Sequence, residues 1–572
     1  MSQKTFSMSR LKWGFIPRKR IVEDDVGNDD ESIVERELES SDEKEGNSIK
    51  KTEYESSSSL EKQHMNNDQD VTYEYRDEKG RKWWKFFDEY EYRLNKHQRS
   101  KHKWFKWFGG DNTKEEKKLV LKLDLLLTVY SLMAYWVKYL DQVNLTNAYV
   151  GGLKEGIGME GNDFVNTQVM FSVGNIVFQI PFMYILYGVP LNFVLPSLDI
   201  CWSILTISVH RVTTVRQLKV LRFFIGAFEA PSYLAYQYLF GSWYKVDEIS
   251  RRSMFYYFGQ YLGILTSGLL SGAIERSLQG VNGLDAWQWI FIIDGIISIA
   301  VGIIGFYVLP GTPNSCYSLF LTDEDIKLAR HRLKQNRTSL LKPKDTVKSI
   351  LDLKLWKSLL SSWEIYIVSL WGIFCWNNNN GTSGAYALWL KSLNRYGSGE
   401  LQDYTALTPG LGIVWLFITC TYSDLFHSRW SAIVLSQVFN FIGNTILAVW
   451  DVTEGAKWFA WCLQYFGWAM APVLYSWNND ICRRDERKRA VILVVMNMLS
   501  QSSTAWLSVL VWKTVESPRF LKGYTFTACC AFVLCIWTML VLFFYKREEK
   551  KHAKENGIIL YNSDEDHNDN YS

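Results

Sequence analysis

From Leu221 to Tyr238 the chain is apolar apart from three strongly polar side chains, Arg222, Glu229 and Gln237. A charge within a bilayer-length apolar segment is costly, so it faces a bundle interior and has a task there. Arg222 and Glu229 are seven positions apart, two helical turns, which puts them on one face about 10 Å apart. A fixed cation can hold an anionic substrate, and a carboxylate beside it can carry a proton. The alternative is a structural pair that locks two helices together. The other ionisable side chains in apolar runs are Asp124, Lys138, Asp141, Asp199 and Asp294. Lys138 and Asp141, three apart, can pair with each other. Asp199 and Glu229 lie deeper, between the penalty of desolvation and the pull of a nearby cation, where a carboxylate can bind and release a proton in a transport cycle. No His lies deep in an apolar run, so a carboxylate must do that work. The substrate-binding candidates are Arg222, Lys138, Gln260, Asn377, Asn378 and Trp376, with Asn379, Asn497, Gln501, Trp468 and Trp477 as further polar and aromatic candidates. The proton-coupling candidates are Glu229, Asp199 and Asp294.

These residues need a many-spanning membrane protein to position them, and the hydrophobic pattern supplies one. Twelve runs of bilayer length are predicted, at roughly 119–141, 164–188, 193–210, 217–241, 253–273, 288–309, 361–378, 405–422, 430–450, 457–477, 490–512 and 523–545. The expected fold is all-α and polytopic, with twelve transmembrane helices in two six-helix halves. Seven of the nine cysteines sit in or beside these runs and read as small apolar fillers rather than a disulfide framework. None is spaced with His as a metal-ligand set. Gly156, Gly158 and Gly161 match a dinucleotide fingerprint literally, but no strand precedes them, so the motif carries no weight. No nucleophile–His pair falls in the spans, which argues against an enzyme. The reading needs no cofactor and no metal.

Charge is segregated along the chain. Residues 21–75 hold 18 acidic and five basic residues, a composition that cannot bury a core and is expected to be disordered. Arg81 to Phe108 then carries nine Lys/Arg with four Trp and four Phe. Beside a first span, that mixture fits anionic headgroups rather than nucleic acid. Loop charges place both tails in the cytoplasm. Thr322 to Asp325 reads as a capping signature opening a helix that ends near Lys334. Asn144 and Asn380 head glycosylation sequons on the outer side. The expected divisions are a cytoplasmic tail 1–118, a first half 119–309, a cytoplasmic linker 310–360, a second half 361–545 and a tail 546–572. Two six-span halves joined by a linker fit transporters whose site lies at the midplane. From residues alone, the function reached is proton-linked transport of an organic anion.

Several segments carry a family resemblance. Asp141-Gln142-Val143-Asn144-Leu145-Thr146-Asn147-Ala148-Tyr149, Gly161-Asn162-Asp163, Arg222 through Glu229, Gly241-Ser242-Trp243-Tyr244, Trp287 through Asp294 and Arg489 through Asn497 resemble the fungal anion:cation symporters. These form the allantoate-permease branch of the major facilitator superfamily. The flanking segments Arg76–Lys85, Cys316–Glu324, Thr514–Phe520 and Phe543–Arg547 are similar to the vitamin H (biotin)–proton symporters of that branch. Gln142 and Gln288 stand where the branch usually has Arg, so those sites are not carried over as cationic. The resemblance implies uptake of biotin with protons across the plasma membrane. Pantothenate and allantoate are alternative substrates, and a non-transporting nutrient sensor is the alternative role.

Overall fold

A computed structural model describes residues 10–22, 73–93, 113–244, 246–334, 353–379, 383–484 and 486–562. The chain divides into two compact units, Met1–Arg20 with Lys103–Phe544 and Ile21–His102 with Tyr545–Ser572.

The first unit is the membrane bundle, and its helices form twelve successive spans. Span one opens on a capping box between Thr113 and Glu116, then runs through Lys114–Leu123, a π-helical turn at Asp124–Thr128 and Val129–Ala148. Spans two, three, five and six are Asp163–Gly188, Leu191–Ser208, Val246–Leu278 and Ala286–Val308. Span four is Val215–Glu229 and Ser232–Trp243, interrupted at Ala230 and Pro231 because proline cannot donate to the helix ladder. Span seven is Trp363–Asn377, followed by a short helix Ala385–Ser392. Ser398–Thr405 leads into span eight, Leu407–Phe426, and span nine is Arg429–Val449. Span ten is in three pieces, Glu454–Cys462, Phe466–Ala469 and Ala471–Ile481. Spans eleven and twelve are Glu486–Val511 and Leu521–Lys551. Among the described residues, seven helices are long and apolar enough on their own to cross a membrane. Of the other spans, four and ten are broken, and five carries charges at both ends.

Within the first half, span five packs on one, six on three and two on four. Spans two and four cross at a pair of glycines. A Cβ on Gly174 would stand 2.0 Å from the Phe223 carbonyl oxygen, and one on Gly226 2.0 Å from that of Phe171. Only glycine permits that approach. In the second half, span seven packs on eleven, and the halves meet where five touches eight and eleven touches two.

Between spans six and seven, Thr322 and Asp325 cap each other's backbone N–H, 3.1 and 2.9 Å, and open the helix Asp323–Lys334 as the capping signature predicts. A hairpin of Leu11–Lys12 and Ile16–Pro17 docks beside it. The Arg20 backbone N–H donates to the Cys316 carbonyl at 2.8 Å, and the Arg20 guanidinium donates to Leu321 at 2.6 Å and pairs with Asp323. Arg332 of the linker helix reaches Glu248 at 2.8 Å, and Arg252 forks onto Asp124 at 2.9 and 3.0 Å.

The second unit draws on both tails. Strand Glu74–Asp77 pairs in parallel with strand Ile558–Tyr561, in the register Glu74 with Ile558 through Asp77 with Tyr561. Tyr92, Ala553 and Ile558 form its core, with Leu560 against them. Glu91 is buried, forks from Arg81 at 2.9 and 3.0 Å and pairs with Lys546; Arg93 pairs with Glu549 at 3.0 Å. Burial acts to lift the Glu91 carboxyl, but Arg81 and Lys546 outweigh it and hold it below its ordinary value. The expected disorder of residues 21–75 falls mostly on residues outside those described, as does the basic aromatic stretch beyond Arg93. Within the described part, Trp83, Trp84 and Phe87 are exposed, with Lys82 over the Trp84 ring.

Candidate functional site

Between the two halves lies a cavity of about 250 Å³. Five of the six substrate-binding candidates line it: Arg222 from span four, Lys138 from span one, Gln260 from span five, and Trp376 and Asn377 from the end of span seven. Asn378 does not. It is fully buried, donates to the Gln437 side chain at 2.9 Å, and its carbonyl accepts from Asn440 at 2.8 Å, so it ties the end of span seven to span nine.

Beside the cavity wall is a buried cluster of ionisable groups. The spacing-based pairing of Lys138 with Asp141 is not what forms. Arg222 Nη1 meets Asp141 Oδ2 at 3.0 Å, and the Thr206 hydroxyl donates to Asp141 Oδ1 at 3.0 Å. Lys138 Nζ turns to Glu229 instead, 3.6 Å from its carboxylate and 3.3 Å from its carbonyl oxygen. Spacing along the helix allows that pair, but Arg222 and Glu229 on span four each present an opposite charge across the interface and take one partner apiece. Gln142 donates to Glu229 at 3.4 Å. Asn144 donates to Asp294 at 2.8 Å and accepts from Ser267 at 2.7 Å. Asn144 lies within span one and is wholly buried, which corrects its expected place on the outer side; Asn380 lies outside the described residues. Three carboxylates, Asp141, Glu229 and Asp294, thus face two cations. Glu229 Oε1, Asp294 Oδ1 and Arg222 Nε and Nη2 are buried with no hydrogen-bond partner.

Asp199 sits apart from this cluster's hydrogen bonds, accepting from Trp202 Nε1 at 3.2 Å, with its other oxygen buried and unpartnered. Neither Asp199, Asp294 nor Glu229 lines the cavity itself. Sequence reasoning undervalued Asp141 by giving it to Lys138, and it missed Gln464, which lies in the first break of span ten and lines the cavity. A broken span was the signal available for Gln464.

Aromatic rings close the cavity between the halves. Tyr139 meets Trp468 edge-on at 6.3 Å between centroids, Tyr233 lies 5.7 Å from Tyr475, and Tyr261 5.6 Å from Tyr465. Trp376 Nε1 donates to the Tyr475 hydroxyl at 2.9 Å. The arrangement can hold a small anion with apolar surface and move a proton among buried carboxylates.

Residues 131–508 match the family model described as Major Facilitator Superfamily. The chain is 42% identical to the Vitamin H transporter of Saccharomyces cerevisiae, over 86% of this chain and 84% of that protein. It is 31% identical to the pantothenate transporter liz1 of Schizosaccharomyces pombe, over 72% of this chain and 79% of that one. Among solved structures, the proton:xylose symporter XylE superposes with a TM-score of 0.55 at 12% identity, over 72% of this chain and 94% of that one. A bacterial homologue of the lysosomal transporter Spinster superposes with a TM-score of 0.51 at 15% identity, over 76% and 98%. These last two speak for the fold alone.

Proposed function

The chain belongs to the major facilitator superfamily of membrane transporters, and from that premise we propose that it takes up biotin together with protons across the plasma membrane, both tails lying in the cytoplasm. The observation that carries the anion part is the cavity wall: Lys138 and Arg222 line it, and no carboxylate does among the described residues. The similarity to a vitamin H transporter supports biotin as the anion.

Charge accounting supports the proton part. A monovalent anion entering a cell negative inside by 100 mV is opposed by about 2.3 kcal/mol. One accompanying proton removes that opposition, and each pH unit then contributes about 1.4 kcal/mol, a tenfold accumulation. Lys138 is held by Glu229, 3.6 Å away. Protonating Glu229 releases Lys138, which can then donate to the substrate carboxylate; deprotonation reclaims it. Substrate and proton are thereby made conditional on each other.

Labelled-biotin uptake should rise with an inward proton gradient and collapse with a protonophore. Glu229→Gln, fixed neutral, should still exchange biotin but lose pH-driven accumulation. Normal pH-driven accumulation in that variant would move the proton to Asp294 or Asp199. Uptake of pantothenate with no uptake of biotin would replace the substrate.

A further inference from the structure

The two walls of the cavity differ in kind. The first half contributes both cations, Lys138 and Arg222. The second half contributes no charged side chain among the described residues; its polar lining is mainly carboxamides and hydroxyls, set among rings and small apolar side chains. A ligand fitted to both walls therefore has an anionic end and a neutral polar end, with apolar surface between them against the Tyr139–Trp468 and Tyr233–Tyr475 contacts.

The carboxamides of the second wall show what the neutral end must be. Asn377 is already committed, donating to Ser503 at 2.7 Å and to Ile373 at 2.8 Å. The Trp376 N–H is spent on Tyr475. Asn497, on span eleven, is only 1% exposed, yet both Oδ1 and Nδ2 lack a partner. Gln464 is likewise buried with Oε1 unpartnered. Buried polar atoms in native proteins are paired, so such atoms lining a cavity point to a ligand that completes them. A carboxamide presents a donor and an acceptor side by side, and its complement is a group with an adjacent N–H and C=O.

We propose that Asn497 and Gln464 read the N–H/C=O edge of a urea or amide on the substrate while Lys138 takes its carboxylate. This deepens the anion-transport reading above and rests on it. Selectivity then lies in the neutral end: an acid of the same length without the urea keeps its salt bridge but leaves the Asn497 amide buried and unmatched. Sites built to bond a polar group discriminate strongly against analogues that lack it.

The test uses the full chain in cells without other biotin uptake. Labelled biotin is competed with desthiobiotin, which keeps the ring urea, and with lipoate, which keeps the pentanoate arm and a five-membered ring but has no urea. Desthiobiotin should compete within about threefold of biotin, and lipoate at least about tenfold more weakly. In Asn497→Leu, biotin and desthiobiotin should weaken about tenfold or more while lipoate is unchanged, which also reports an intact carboxylate end. Lipoate matching desthiobiotin in the unmodified protein, or a retained preference in Asn497→Leu, overturns the proposal alone. No biotin uptake at all overturns the substrate reading as well. Where Asn497→Leu is not delivered to the membrane, Gln464→Leu makes the same comparison, and a preference retained there overturns the proposal.

Discussion

Asp141 and Arg222 are 0% and 2% exposed, so removing either takes from the other its direct partner inside the buried cluster. Asp141→Ala and Arg222→Ala should each cost about 3–5 kcal/mol, whereas Asp141→Asn with Arg222→Gln should cost much less than their sum. Thermal unfolding in detergent measures this; additive losses would show that the two do not act as a pair. The buried charges themselves were legible in the sequence because an ion in an apolar run stands out. Their pairing was not. Spacing along one helix offered Lys138 to Asp141, while the partners that win, Arg222 and Glu229, come from span four. Asn144 shows the same limit: a sequon is a local pattern, and only packing against Asp294 and Ser267 reveals that its amide is spent.

The twelve spans were legible because bilayer length and hydropathy are summed properties of a segment, indifferent to partners. The breaks in spans four and ten, and the glycine contacts, depend on what lies opposite. Where span five meets the helix leading into span eight, a Cβ on Gly272 would stand 2.4 Å from Asp403 Oδ1 and 3.0 Å from the Gly399 carbonyl oxygen. Arg276 closes the same seam on Asp403 at 2.6 Å. This contact joins the two halves, and an alternating-access cycle has to open and remake it. Gly272→Leu should therefore cut uptake about tenfold or more at unchanged surface delivery, by wedging the seam open. Uptake and surface labelling on the same cells decide it, and full uptake would mean that this seam stays fixed.

At the scale of the whole molecule, the tail unit depends on an ion pair between segments far apart in sequence. Because Arg81 and Lys546 hold the Glu91 carboxyl below its ordinary value of 4.5, its contribution is complete above that pH and is lost as pH falls through the lowered value. Spin labels at the register partners Tyr75 and Ile559 should give one narrow distance at pH 7 that broadens as the pH is taken down through the lowered Glu91 value. Glu91→Gln should flatten that pH response, and an unchanged response would assign it to another group. Nothing in the sequence announced this unit, since a four-residue strand has too short a pattern to name its partner. Its connectivity has a consequence for biosynthesis. Glu78 leaves the ribosome 472 residues before Lys550, the residue it pairs with, so the early tail waits unpartnered while every span is made. Translation that stops short leaves Tyr92 without the Ile558 it packs on, and strand Glu74–Asp77 without its parallel partner. The tails can join only after helix Leu521–Lys551 has been made, because strand Ile558–Tyr561 follows it.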